Sequence, residues 1–189
     1  PSEQLLRSTD DPALIEYARF SDTRHEHEPF ASYEAAVDWL KAQNRALSKW
    51  RANTDLKQEA ANTKREFERL HGWMGEDHAV CCLRQSGVGL DRIRADIGLQ
   101  FFSYICADEP DLVSEHLELA TEREVAIIHA IADPSLSSWA LTYGDIAMKG
   151  TLLHSPEWLR REFFPRLKRI NDAYHEHGIA HKDKPATGQ

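Results

Sequence analysis

The second half of this sequence predicts a parallel α/β fold, on three observations. The short apolar run His78-Ala79-Val80-Cys81-Cys82-Leu83 and the β-rich run over residues 137–143 read as strands. Helical patterns follow each of them, and Gly87, Gly89 and Gly144-Asp145 mark the loops where the strands end. Strand, loop and helix in repeated order is the construction of right-handed parallel crossovers, in which ligands bind beyond the C-terminal strand ends. Functional weight therefore falls near Gly87 and Asp145.

The elements follow in chain order. Residues 1–30 are charged and rich in turn formers, with a short helical candidate over 12–19 and an irregular polar stretch after it. From Ser32, a plausible N-cap, Ala36, Trp39, Leu40, Leu47 and Trp50 recur at helical spacing and predict a helix to about Arg51. A second helix over 56–70 is strongly charged with few apolar residues, so it faces solvent or covers the core with a narrow stripe. Residues 78–83 are the first strand, and short helices are expected over 90–97 and 99–106. Asp108-Glu109-Pro110-Asp111 opens a long helix, with Pro110 pre-set for the first turn, acids favouring the positive end of the dipole, and Val113, Leu117, Ala120, Ile127 and Ile131 along one face. Asp133-Pro134 ends it.

The second strand covers 137–143. The last helix has a full start signal in Ser155-Pro156-Glu157, an apolar stripe of Leu159, Phe163, Leu167, Ile170 and Tyr174, and a stop at Gly178. Pro165 lies inside that stripe and predicts a kink. The reading is one domain over 1–189: a mostly helical lead-in over 1–76, βα units over 77–179 and a polar tail over 180–189.

Composition narrows the function classes. A formal net charge of -8, from 31 acidic and 23 basic residues, argues against a broad cationic surface for nucleic acid. No run approaches the ~18–20 apolar residues of a membrane helix and the first residues show no signal pattern, so the expectation is a cytoplasmic protein without a membrane partner. The three cysteines, Cys81, Cys82 and Cys106, form no Cys-x-x-Cys and read as reduced, buried thiols. Neither a phosphate loop nor a Gly-x-Ser-x-Gly elbow is present, which removes support for nucleotide hydrolysis and serine-type hydrolysis.

Candidate chemistry centres on Tyr143-Gly144-Asp145. A carboxylate directly after a buried strand can orient a donor-bearing substrate, although a loop Asp that caps local backbone reads the same way. Arg84, at the end of the first strand, is suited either to an anionic ligand group or to a structural ion pair. His175, His177 and His181 invite a metal reading, but i and i+2 do not share a helix face, so an exposed helix end is the better account. His25-x-His27 is weaker still. Cys81 and Cys82 point to opposite faces of a strand and do not act together.

The order of several segments carries a resemblance. Tyr143-Gly144-Asp145-Ile146-Ala147-Met148-Lys149-Gly150, Leu152-Leu153-His154-Ser155-Pro156-Glu157, Phe163-Phe164-Pro165-Arg166-Leu167-Lys168-Arg169-Ile170 and His177-Gly178-Ile179 together resemble the uroporphyrinogen decarboxylase superfamily, over about residues 78–179. The resemblance implies a (β/α)8 TIM-type barrel, in whole or in part, with a helical N-terminal segment and its site at the C-terminal mouth. In it Asp145 matches the family's strand-end Asp and Tyr143 is its neighbour; the expected site has Asp145 and Tyr143 as catalytic residues and Arg84, Gly144 and His154 as substrate-binding ones.

Within that superfamily the Asp-Ser-Trp of the decarboxylase branch is replaced here by Gly144-Asp145-Ile146-Ala147, which favours the methyltransferase-like branch. Methyl transfer or demethylation is thus the first expectation, with a corrinoid protein as partner. Decarboxylation of a porphyrinogen is the alternative. Zinc is implied by the family alone: its His-x-Cys is absent, since His181 is followed by Lys182-Asp183, and no metal ligands are assigned. A complete barrel takes ~250 residues, more than the 189 present, so a third expectation is a non-catalytic partial barrel that assembles by covering open strand edges, as in a homo-oligomer.

Overall fold

The computed structural model describes residues 29–75 and 82–183. Helices α1 (Tyr33–Asn53) and α2 (Leu56–Met74) lead to β1 (Gln85–Ser86), α3 (Leu90–Ile97), α4 (Leu99–Asp108) and the long α5 (Pro110–Ile131). Then come β2 (Trp139–Thr142), β3 (Ala147–Met148), β4 (Thr151–Leu152), α6 (Pro156–Trp158), a π-helical turn (Leu159–Phe163), α7 (Phe164–Glu176) and β5 (Ala180–Asp183). The helix expected over 12–19, together with His25, His27 and Cys81, lies outside the described residues.

Local chemistry sets the helix ends. The Ser32 hydroxyl accepts from the Ala35 N–H at 3.2 Å, Asp55 accepts from the N–H groups of Lys57 and Gln58, and Ser155 accepts from Trp158 at 3.1 Å. Helix α2 buries Phe67 alone, which is the narrow stripe its charged composition implies. At Pro165 the chain resolves its missing N–H through the π turn just before it, in which Phe164 donates to the Leu159 carbonyl five residues back.

Helix α5 is the centre of the assembly, packing against α1, α2, α4 and α7. It buries Val113, Leu117, Ile127, Ile128 and Ile131, and also His116 and Thr121. Leu40 of α1, Ile93 and Ile97 of α3, Phe102 of α4 and Ile170 and Tyr174 of α7 complete the same core. Among the described residues no helix is long and apolar enough to cross a membrane.

The sheet order is β1-β2-β5, with every pairing parallel. Gln85 pairs with Leu141, Ser86 with Thr142, and Trp139 to Thr142 pair with Ala180 to Asp183. Hairpin β3–β4 is separate and antiparallel, turning at Gly150 with φ +86°.

This architecture corrects the barrel expectation. The parallel sheet of the described residues has three strands and is open, and helices dominate the structure. The chain passes through α3, α4 and α5 between β1 and β2, and α1 and α2 pack on α5, so apolar surface is buried mainly by helix on helix. Of the first strand expected over 78–83, residues 78–81 lie outside the described residues, Cys82 and Leu83 are not in a strand, and β1 is Gln85–Ser86. Hydrogen bonds from the Leu83 N–H to the Trp139 carbonyl and from the Leu141 N–H to the Arg84 carbonyl, both 3.0 Å, carry the pairing back toward it. At the other end, residues 180–183, expected to begin a polar tail, add strand β5.

Candidate functional site

The central strand β2 ends at the loop that holds Tyr143, Gly144 and Asp145. The Tyr143 N–H donates to the Ser86 carbonyl at 3.0 Å, tying this loop to the end of β1. Gly87 lies against it, and a Cβ there would stand 3.0 Å from the Tyr143 carbonyl oxygen. Gly144 rests on the buried ring of Phe163, where a Cβ would come within 2.2 Å of Cζ; only glycine lets the loop approach that closely.

Asp145 is held by its main chain. Its N–H donates to both carboxylate oxygens of Asp91, at 3.0 and 3.1 Å, and its carbonyl accepts from Arg94 Nη1 at 2.8 Å. Arg94 also donates to Asp91 at 3.0 Å, so one acid–base pair on α3 grips the strand-end loop from both sides. The Asp145 carboxylate stands 3.8 Å from Arg94 Nη2 and its side chain is 74% exposed, whereas Arg94 is 13% exposed. The arrangement fixes the backbone and leaves carboxylate oxygens open to an incoming donor.

His154 closes one side. Its ring stacks on Trp158 at 4.2 Å and meets Phe102 edge-on at 6.0 Å, while Nε2 is buried without a hydrogen-bond partner. Burial, with the nearby Arg94 charge as second cause, holds its pKa below the ordinary imidazole value. Tyr143 is half open to solvent.

Arg84 is engaged elsewhere. Its guanidinium makes a two-point pair with Glu124 on α5, at 2.6 and 3.0 Å, and that pairing outweighs burial in raising the arginine's pKa. Glu124 also accepts from the Ser86 hydroxyl at 2.7 Å, and Ser86 bonds the buried Tyr174 hydroxyl at 2.6 Å. Of the two readings given to Arg84, the structure contains the ion pair. Asp145 and His154 thus lie near Arg94, Gly144 packs on Phe163 and Tyr143 lies against Gly87, whereas Arg84 pairs with Glu124.

Sequence reasoning missed Asp91 and Arg94. Their i,i+3 spacing on the helix that follows Gly89 was a legible signal, because such a pair lies one turn beyond a parallel strand end. It also missed His116, whose helical position gives no sign of its polar partner on α1.

Among the described residues, no three His, Cys, Asp or Glu side chains are grouped to hold a metal. At the strand-end loop in particular, His154 Nε2 is enclosed by aromatic rings and Asp145 faces Arg94, which is not a zinc ligand set. His177 Nε2 instead lies 3.0 Å from His129 Nδ1, and Cys82 and Cys106 are free thiols, Cys106 pushed up to about 12 chiefly by burial.

Comparison of the chain with protein-family models, with curated proteins and with solved structures finds no match.

Proposed function

We propose that this protein is a cytoplasmic enzyme of the uroporphyrinogen decarboxylase superfamily that moves a methyl group to or from a small molecule, with a corrinoid protein as exchange partner. The reaction class rests on the sequence resemblance over about residues 78–179. The observation that supports the site is the clamp on Asp145: a backbone fixed by Asp91 and Arg94 and a carboxylate open at the end of a central parallel strand.

In this reading Asp145 accepts a hydrogen bond from the substrate and sets its orientation. Tyr143 lies beside the bound molecule with its exposed ring. Gly144 supplies the close turn that brings the loop onto Phe163, and His154, held between Trp158 and Phe102, forms part of the substrate-facing wall. Arg94 stands 3.8 Å from the carboxylate and anchors the loop that carries it.

The test is a paired assay of the purified chain. Methyl exchange is followed between a panel of methylated small molecules and a corrinoid protein, and carboxyl loss is followed from uroporphyrinogen. Methyl exchange that Asp145→Asn abolishes, with the circular dichroism spectrum unchanged, supports the proposal. Carboxyl loss from uroporphyrinogen moves the protein to the decarboxylase branch. Equal turnover by Asp145→Asn and the parent chain removes the role of Asp145.

A further inference from the structure

A concavity lined by α1, the β1–α3 loop, α3 and α5 has a volume of about 450 Å³. It is within the size range of small-ligand sites. Its wall combines an apolar side from Trp39, Leu47 and Ile93 with His116 and Arg123 of α5. None of its side chains belongs to the Asp145 group.

His116 is set up as an acceptor. The Asn44 side-chain amide donates to the Leu112 carbonyl at 3.1 Å and to Glu115 at 2.8 Å, so its oxygen is the atom facing His116 Nδ1 at 2.8 Å. Nδ1 must then donate, and in the neutral ring Nε2 carries the lone pair. His116 is 8% exposed and burial keeps it neutral, with a pKa lowered to about 4 despite Asp96 and Glu115 nearby. Nε2 has no protein partner among the described residues, and His116 lines the cleft.

Arg123 supplies the opposite end. It follows His116 by seven residues, two turns along the same face of α5 and about 10 Å by helical rise. Between them Ala120 keeps the face low. The other cleft charges are matched: Arg92 pairs with Asp96 at 2.7 Å, and Glu124 pairs with Arg84. Among the described residues Arg123 has no carboxylate partner, and its guanidinium lies 5.7 Å from the centroid of the Trp50 ring. One unmatched cation beside two carboxylates suits a monoanion and disfavours a phosphate dianion.

We propose that this cleft binds a small flat monocarboxylate bearing a hydrogen-bond donor at its far end, with the carboxylate on Arg123, the donor on His116 Nε2 and the ring against Trp39 and Ile93. The site is independent of the methyl-transfer reading, and either can fail without the other. The probes are 4-hydroxybenzoate, benzoate and phenyl phosphate, titrated at millimolar concentration into the intact chain and followed by amide chemical shifts and equilibrium binding.

The expected result is that 4-hydroxybenzoate shifts the Gly87, Gly89 and Ala120 amides, binds several-fold more tightly than benzoate, and loses about tenfold in affinity in Arg123→Gln. Arg123 is exposed, so that variant tests binding without disturbing the core. Absence of shifts at those amides, or unchanged binding in Arg123→Gln, overturns the site. Equal binding of benzoate and 4-hydroxybenzoate overturns the role of His116, and tighter binding of phenyl phosphate overturns the monoanion assignment.

Discussion

The backbone N–H of Asp145 donates to both carboxylate oxygens of Asp91, across a sequence separation of 54 residues. The contact joins the loop after β2 to the first turn of α3. Asp91→Ala removes it and leaves the largely buried Arg94 without its nearest carboxylate. The expected loss is about 1–3 kcal/mol of unfolding free energy in urea, with faster hydrogen exchange at the Asp145 amide. Asp91→Asn retains one acceptor oxygen and loses less. An exchange rate at Asp145 unchanged by Asp91→Ala would contradict the clamp.

Gly144→Ala tests the packing of the same loop. The new methyl group meets the Phe163 ring, and the cost of overpacking is about 1–3 kcal/mol. Phe163→Leu shortens the obstructing ring. In the double variant the two losses therefore sum to less than the separate values, as measured by a double-mutant cycle. Strict additivity would place the clash elsewhere.

Arg166 and Glu162 form a buried pair between α7 and the π turn, at 2.8 Å, with Glu118, Ser114 and Arg161 completing the network. They are 9% and 8% exposed. Arg166→Met leaves the acid short of its main buried partner and is expected to cost about 3–5 kcal/mol. Changing both residues to apolar ones, Arg166→Met with Glu162→Leu, recovers much of that loss. Denaturant melts of the single and double variants decide it; a double variant as unstable as the single one is the contrary outcome.

Stability falls with acid through His116. Its folded pKa is lowered to about 4 by burial, below the ordinary 6.5. Between those values the unfolded chain binds the extra proton, so unfolding free energy rises with pH across this window and is lost as pH falls from 6.5 toward 4. The slope from this group reaches about 1.4 kcal/mol per pH unit. His116→Phe removes that component. Imidazole nitrogen shifts in the parent chain should show His116 neutral at pH 5; a protonated ring there contradicts the burial argument.

Sequence alone determined the features that act over a few residues. Ser32, Pro110 and Ser155 mark helix starts because a cap or a preset φ works within one turn, and the apolar stripes of α1, α5 and α7 reveal their buried faces by spacing. The β2 segment was legible from its β-rich composition, and the loop after it from Gly144-Asp145. Pro165 announced an irregularity, though not that it would take the form of a π turn.

Tertiary structure alone decided the rest. Whether parallel strands close into a barrel depends on how many strands pair and on what covers them, and here three strands pair among the described residues while α1, α2, α4 and α7 pack on α5. The strand character of Gln85–Ser86 and of residues 180–183 follows from pairing with β2, a long-range hydrogen-bond ladder that no local pattern encodes. The same applies to partners: Arg84 meets Glu124, Asp145 meets Asp91, and His116 meets Asn44, because packing sets those distances after distant segments have come together.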